Sequence, residues 1–243
     1  MLSLKKGRYV TRLAETPEDI CAAQNLRHLS FYGTKGQDAD AFDSICTHFL
    51  VEEAKTQRLV CCFRVLPLTG GGEIGRSYSA QFYELSALEA FSGPMVEMGR
   101  FCIHPDVKDP DILRVAWGAM TKFVDENGIE MLFGCSSFHG TDEAEYLDAF
   151  AMLKERHLAP RRWLPRVKAP QVFRFAQKLR RKPDAKKAML RMPPLLRTYL
   201  LMGGWVSDHA VVDRRMNTLH VFTGLEINAI PPARKRLLRG VAG

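Results

Sequence analysis

The sequence predicts an α+β fold, in which helices pack on a mostly antiparallel sheet. Two apolar runs, 46–52 and 57–66, are separated only by a short turn, as neighbouring antiparallel strands often are. The clearest helical pattern, at 107–127, is followed by the almost wholly apolar run 131–136, which is typical of a buried central strand. These patterns indicate a meander of strands that later includes one strand–helix–strand unit.

The first helix is predicted for residues 17–32, where apolar residues recur at helical spacing. Thr16 suits an N-cap and Pro17 suits the first helical position. Arg27 and Phe31 are four residues apart and therefore share one face of the helix. A surface arginine beside a core phenylalanine fits this pattern equally well.

The polar stretch 33–43 is predicted to be a mobile loop, because it combines glycines with the carboxylates Asp38, Asp40 and Asp43. Such a loop either closes over a cationic ligand or is simply solvated.

The run 95–103 is predicted to be a strand, and it holds two charges in an otherwise apolar sequence. Residues three apart in an extended strand project to opposite faces, so Glu97 and Arg100 should diverge, with a bend near Gly99. The run stops before Pro105. A strand of this composition indicates the edge of an active site more than plain core.

The rest of the chain adds helices and a last pair of strands. Thr141 is expected to cap the third of the longer helices, and Gly128 to end the second. The remaining predicted elements are helices at 85–91, 142–154 and 195–202 and strands at 206–212 and 218–227.

Composition indicates one domain in a reducing compartment. The 243 residues, 46% of them hydrophobic, can bury one substantial core, so a single domain is expected across 1–243. The six cysteines show no C-x-x-C spacing and sit mostly in apolar runs, which favours free thiols. The sequence has no signal-peptide pattern and no run of about 18 apolar residues, so we expect a cytoplasmic protein or one on the inner membrane surface.

Positive charge is concentrated in residues 154–197, which hold 15 Lys or Arg against two acids, a net charge of +13 in a chain of net charge +8. A basic, proline-containing insertion is therefore expected at about 155–192, before the last helix and strands. Its partner should be acidic: an anionic lipid surface, nucleic acid or an acidic carrier protein. A merely solvated face is the alternative. Trp163, Phe173 and Phe175 within it either insert into a lipid interface or cover the core.

Several common sites are missing from the sequence. The run Gly70-Gly-Gly fits neither nucleotide-binding loop, and the histidines lack metal-binding spacing. The motif G-x-S-x-G is absent as well, which disfavours a serine nucleophile.

What remains is a set of charged residues close to the predicted strands. Carboxylates recognise a cationic amine and can accept its proton, and an arginine can pair with a substrate carboxylate. The set therefore suits an amino-acid substrate, although structural ion pairs are the commoner use of such residues. Its members are Arg27, Asp40, Asp43, Arg64, Glu97 and Arg100, together with Phe31.

In this order, these residues resemble the acyl-carrier-dependent branch of the Gcn5-related N-acyltransferase (GNAT) superfamily, which includes the acyl-homoserine-lactone synthases. The blocks Val96–Pro105, Phe133–Asp142 and Pro193–Trp205 are similar to those of bacterial ornithine N-acyltransferases, and the resemblance covers residues 8–235. The superfamily's glycine-rich coenzyme A loop is replaced after Pro105 by Asp-Val-Lys-Asp-Pro-Asp, which fits a carrier-protein donor.

The resemblance implies a GNAT-like mixed sheet and direct transfer of a (3-hydroxy)fatty acyl group from the phosphopantetheine of acyl carrier protein to the α-amine of L-ornithine. It implies no bound cofactor and no metal. Glu97 and Arg100 are the implied catalytic residues. The implied substrate-binding residues are Arg27, Phe31, Asp40, Asp43, Arg64, Phe101, Ile103 and Ser136.

The expected partners are acyl carrier protein, L-ornithine and, through residues 154–197, an anionic membrane surface; nucleic acid is not expected. Two alternatives stay open. One is an acyl-homoserine-lactone-type signal synthase, and the other is a non-enzymatic nucleic-acid-binding protein, which the basic segment alone would fit.

Overall fold

The computed structural model describes residues 3–242, and within them the chain folds into two compact units. The first unit takes the residues up to Pro67, Met98–Ile129 and the residues from Pro231 on; the second takes Leu68–Glu97 and Glu130–Ile230. Each unit is therefore discontinuous in sequence. The single acyltransferase domain across 1–243 stays a prediction.

The regular elements are numbered in chain order. The strands are β1 (Ser3–Lys6), β2 (Tyr9–Leu13), β3 (Thr47–Glu53), β4 (Leu59–Leu68), β5 (Tyr83–Glu84), β6 (Met95–Ile103), β7 (Met131–His139), β8 (Arg166–Val167), β9 (Val172–Phe173), β10 (Trp205–Val206), β11 (Ala210–Asp213) and β12 (Thr218–Glu226). The α-helices are α1 (Pro17–Tyr32), α2 (Pro110–Glu126), α3 (Leu147–Arg156), α4 (Phe175–Lys178), α5 (Ala185–Arg191), α6 (Pro194–Leu201) and α7 (Pro232–Ala242).

In the first unit, antiparallel strands run in the order β1–β2–β3–β4, and the second half of β6 lies next to β4. Helix α1 packs on β3, and α2 packs on β1, β2 and β3. Phe49 of β3 stacks on Phe63 of β4 with 4.6 Å between ring centroids, and Phe123 of α2 meets Phe49 edge-on. These rings fill the space between the sheet and α2.

Helix α2 begins and ends at local signals in the sequence. The Asp109 side chain accepts a hydrogen bond from the Asp111 amide at 2.9 Å, and Pro110 takes the first helical position. After the helix, Gly128 adopts φ +60°, a conformation that glycine enters without steric cost. The helix predicted at 107–127 is confirmed with a later start, because Pro110 disfavours helical geometry in the residue before it.

In the second unit, β7 pairs with β12 in antiparallel register along all nine residues of each strand. The first residues of β6, Met95–Glu97, pair in parallel with Met131–Phe133 of β7. On the other side, β10 and β11 pair with β12, and β9 pairs with β11. The predicted strand–helix–strand connection, here β6–α2–β7, is confirmed, and so is the strand predicted at 218–227. The strand predicted at 206–212 is instead divided into β10 and β11, with residues 207–209 between them.

The segment predicted as a basic insertion supplies core to the second unit. Phe173 and Phe175 are buried, and Phe175 stacks on Phe150 of α3 at 5.1 Å. Ala188 and Met192 join the same hydrophobic cluster. Of the two interpretations of the aromatic residues, core packing is therefore right for Phe173 and Phe175.

Three local predictions need correction. The cap before α3 is Asp142 rather than Thr141: the Asp142 carboxylate accepts from the Ala144 amide at 2.9 Å and starts a 3-10 turn that leads into the helix. Residues 85–91 contain only the 3-10 turn Ser86–Leu88, because so short a stretch cannot sustain an α-helix by itself. The bend expected near Gly99 lies one residue later, at Arg100, whose φ is +53°.

A buried histidine makes the stability of the protein depend on pH. His220 in β12 is 3% exposed, and its Nδ1 lies 3.1 Å from the Tyr83 hydroxyl. Burial lowers the pKa of His220 from 6.5 to about 4. The unfolded chain therefore takes up the proton first as the pH falls, and the free energy of unfolding should decrease by about 2 kcal/mol between pH 6.5 and pH 5.

Urea unfolding at a series of pH values tests this. The variant His220→Asn should show a flatter dependence over that window. An unchanged slope in His220→Asn would assign the pH dependence to other groups.

Candidate functional site

Three arginines and three aspartates of the first unit interlock in what we call the Arg–Asp cluster: Arg27, Arg64, Arg100, Asp38, Asp40 and Asp43. Arg64 Nη1 lies 2.6 Å from both Asp40 Oδ1 and Asp43 Oδ1. Arg27 Nη1 lies 2.7 Å from Asp43 Oδ1. Arg100 Nη2 donates to Asp40 Oδ2 at 3.1 Å.

Asp38 completes the Arg–Asp cluster. It lies 3.0 Å from Arg27 Nε and 3.2 Å from Arg100 Nε, and Arg27 also donates to its backbone carbonyl. Asp38 was seen in the sequence only as one acid of a polar loop. Asp38 is only 7% exposed, so the interpretation of that loop as simply solvated is wrong at this residue.

Local structure holds the aspartates in place. The Asp40 side chain accepts from the Phe42 amide at 2.9 Å, and the Asp43 side chain accepts from the Asp40 amide at 3.2 Å. This reciprocal capping box starts the 3-10 turn Ala41–Ser44. His48 Nε2 approaches the Asp43 carbonyl at 3.0 Å. The end of the predicted loop is therefore tied to helix α1 and strands β3, β4 and β6.

The Arg–Asp cluster is buried and balanced in charge. Arg27 is 1% exposed, so the interpretation of it as a surface arginine is wrong. Burial disfavours the ionised form of Asp43, but hydrogen bonds from Arg27 and Gln24 outweigh it and hold the Asp43 pKa well below its usual value. Arg27 lowers the pKa of Asp43 only while the two side chains remain paired. The arginines and aspartates of the cluster thus compensate one another's charge inside the first unit.

This arrangement separates the roles predicted for the two aspartates. The Asp43 side chain is 8% exposed and already accepts from Arg27, Arg64 and Gln24. The Asp40 side chain is 22% exposed. Asp40 is therefore the better candidate to contact a substrate amine, whereas the Asp43 side chain lies inside the Arg–Asp cluster. The Arg100 guanidinium also lies 6.0 Å from the centre of the half-buried Phe31 ring.

Glu97 lies in the second unit, where a turn of the backbone surrounds its carboxylate. The Tyr78 amide donates to Oε2 at 2.7 Å, and the Ser79 amide donates to Oε1 at 2.8 Å. The Ser79 hydroxyl donates to Oε1 as well, at 2.6 Å. Glu97 is 4% exposed, and these three hydrogen bonds stabilise its negative charge. Glu97 thus accepts from Tyr78 and Ser79, whereas Arg100 contacts Asp38 and Asp40.

The other predicted binding residues lie along β6 and β7. Phe101 stacks on Phe63 at 5.7 Å, and the Ile103 carbonyl accepts from the Ser30 hydroxyl at 3.2 Å, both in the first unit. Ser136, in the second unit, is buried and accepts from the Thr223 hydroxyl at 2.9 Å. It lies beyond Phe133, the last residue of β7 in the parallel register with β6. Their predicted roles in binding stay predictions.

Sequence reasoning missed Tyr78 and Ser79, the residues that hold Glu97. They belong to a polar stretch, 74–83, that has neither helical nor strand periodicity, so no signal marked them. Ser79 Oγ also lies 3.4 Å from Cys135 Sγ in β7.

Neither a metal-binding cluster nor a membrane-spanning helix is present in the described part of the chain. Within residues 3–242, His, Cys, Asp and Glu form no group of three that could hold a metal ion. In the same range, no helix is long and apolar enough to cross a membrane. None of the six cysteines, all of which lie within residues 3–242, forms a disulfide, as predicted.

Comparisons with known proteins identify the family. The model of the acetyltransferase (GNAT) domain matches residues 26–118. The L-ornithine N(alpha)-acyltransferase of Rhodobacter capsulatus is 34% identical over 238 residues and covers 91% of both chains. The protein of the same name from Brucella abortus is 29% identical over 244 residues, covering 92% of this chain and 86% of that one.

A solved structure agrees on the fold. FeeM, an N-acyl amino acid synthase from uncultured soil microbes, matches with a TM-score of 0.50 at 11% identity and covers 91% of this chain and 92% of its own. The predicted mixed, mostly antiparallel GNAT sheet flanked by helices is thereby confirmed. At 34% identity across 91% of both chains, this chain belongs to the family of the L-ornithine N(alpha)-acyltransferases and is an acyltransferase.

Proposed function

We propose that this acyltransferase moves a (3-hydroxy)fatty acyl group from acyl carrier protein to the α-amine of L-ornithine and so makes lyso-ornithine lipid. The observation that carries the proposal is the similarity along nearly the whole chain to relatives named for ornithine Nα-acylation. These relatives do not favour the signal synthase or the nucleic-acid-binding alternative.

In the proposed reaction, the α-amine of ornithine attacks the thioester carbonyl. A C–N bond forms, the C–S bond breaks, and the phosphopantetheine arm leaves as a thiol. The amine attacks in its neutral form, and Glu97 accepts, directly or through one water molecule, the proton that the nitrogen sheds as the C–N bond forms. That proton then passes to the departing sulfur. The hydrogen bonds from Tyr78 and Ser79 fix the position of the Glu97 carboxylate, as a general base requires.

The Arg–Asp cluster supplies the proposed charges for an amino-acid substrate. Arg100, at 12% side-chain exposure, is more accessible than Arg27 or Arg64 and is proposed to bind the substrate carboxylate. Asp40 is proposed to meet the side-chain amine of ornithine. Arg27, Arg64 and Asp43 hold these two residues in position. Backbone N–H groups near Phe101 and Ile103 are proposed to polarise the thioester carbonyl.

The donor is proposed to be acyl carrier protein, with no cofactor bound to the enzyme itself. The sequence after Pro105 supports this, because it lacks the glycine-rich loop with which the superfamily holds coenzyme A. A cytoplasmic enzyme with this donor would deliver a lipid product to the inner membrane.

The test is to incubate the full chain with L-ornithine and 3-hydroxyacyl-acyl carrier protein and to follow products by mass spectrometry. We expect an N-acylated ornithine whose amide is at the α-nitrogen. Matched reactions replace ornithine with lysine or S-adenosylmethionine, and the carrier protein with the corresponding acyl-coenzyme A. A lactone product from S-adenosylmethionine, with none from ornithine, would contradict the proposal and favour the signal synthase.

A further inference from the structure

Helix α5 exposes apolar side chains on its outer face. Leu190 is 78% exposed and Met189 is 40% exposed, whereas Ala188 and Met192 on the inner face are buried in the core. A single exposed leucine is common on protein surfaces and carries no argument by itself. Leu190 differs from such a leucine because basic residues lie around it.

Positive charge surrounds Leu190. Lys186 and Lys187 lie four and three residues earlier in α5, so all three side chains share one face of the helix. The segment 178–191 contains seven Lys or Arg and one Asp, a net charge of +6. We give the name α5 surface to seven exposed residues of this segment: Arg180, Lys182, Lys186, Lys187, Met189, Leu190 and Arg191.

The α5 surface is held in place by one carboxylate of helix α3. Asp148 accepts from Arg181 Nη2 at 2.8 Å and from the Asp184 amide at 3.0 Å. Asp184 in turn caps α5 by accepting from the Lys187 amide at 3.1 Å. Asp184 Oδ2 also lies 3.9 Å from Lys187 Nζ, so it compensates one basic charge of the segment and leaves the others without a nearby acid in it. The basic and apolar side chains of the α5 surface are therefore presented outward in a fixed arrangement.

We propose that the α5 surface binds an anionic lipid bilayer, with Leu190 and Met189 entering the headgroup region and the lysines and arginines contacting anionic headgroups. Stable attachment to a membrane surface takes two weak signals, and a basic cluster with an exposed apolar side chain supplies both. Phe173 and Phe175, which the sequence left as candidates for insertion, are in the core instead. The proposal does not depend on the acyl-transfer reaction.

Vesicle sedimentation with the full chain, in the absence of donor and acceptor, tests the proposal. The protein should bind vesicles of phosphatidylcholine with phosphatidylglycerol, and binding should weaken as salt increases. The triple variant Lys182→Gln, Lys186→Gln, Lys187→Gln should bind about a hundredfold more weakly. Leu190→Ser should bind about tenfold more weakly.

Control variants make the same changes elsewhere. Lys5→Gln, Lys35→Gln, Lys55→Gln removes three exposed lysines of the first unit, and Ile45→Ser removes a side chain that is 48% exposed. Both should bind vesicles like the unchanged protein. Equal binding by the α5 variants, equal loss in the controls, or no vesicle binding at all would overturn the proposal. If the protein binds no vesicles but an acidic carrier protein protects Lys186 and Lys187 from chemical labelling, the α5 surface is assigned to that carrier protein.

Discussion

Replacing Asp43 with alanine is expected to lower the free energy of unfolding by about 4 kcal/mol, the largest stability effect that we predict. The substitution leaves the buried guanidinium groups of Arg27 and Arg64 without the carboxylate that accepts from both. Their side chains are 1% and 4% exposed, so water cannot replace the lost partner at low cost. Urea unfolding followed by circular dichroism measures the change.

A matched control removes an aspartate from an exposed pair. Asp111 and Arg114 form an ion pair of 2.8 Å on the surface of α2, where their side chains are 58% and 59% exposed. Asp111→Ala should cost less than about 1 kcal/mol, because water screens such pairs. If Asp43→Ala costs no more than Asp111→Ala, the Arg–Asp cluster does not depend on mutual charge compensation.

Replacing Glu97 with glutamine is expected to lower kcat for acyl transfer by about 10²- to 10⁴-fold, the range that a positioned general base contributes. The amide is nearly the same size as the carboxylate but cannot take the proton from the attacking amine. Single-turnover assays with 3-hydroxyacyl-acyl carrier protein and ornithine measure the effect. They separate the chemical step from donor binding.

Glutamine also replaces an acceptor by a donor beside Tyr78 and Ser79, so a local structural effect must be separated from a chemical one. Ser79→Ala removes one hydrogen bond to Glu97 and keeps the carboxylate. It should retain most of the turnover of the unchanged enzyme. If Ser79→Ala and Glu97→Gln lose kcat equally, Glu97 is a positioning residue, and full turnover in Glu97→Gln would rule it out as the base.

The elements that the sequence predicted best are those with local signals. Helix α1 has its cap at Thr16 and a proline at its first position, and β6 is a long apolar run that stops before a proline. By contrast, β8 and β9 are two residues long and are defined by their partners; Val167 pairs with Tyr83 across more than eighty residues of sequence. Such pairings depend on tertiary packing, which local propensity does not encode.

The same limit applies to the candidate site. Glu97 and Arg100 could be singled out because a charge inside an apolar strand needs a reason. Their partners could not be identified, since the Arg–Asp cluster joins residues that are distant in sequence, such as Asp40 and Arg100, 60 positions apart. The resemblance to a family identified the residues. Only the structure shows that Asp43 already accepts hydrogen bonds from its neighbours and that Ser79 donates to Glu97.

Strand β6 passes from one unit to the other between Glu97 and Met98, and the first unit also needs the residues from Pro231 on. During synthesis, the ribosome therefore delivers the whole chain of the second unit before it delivers the last part of the first. Truncation after Ile230 would therefore keep every residue of the second unit and remove only the last segment of the first.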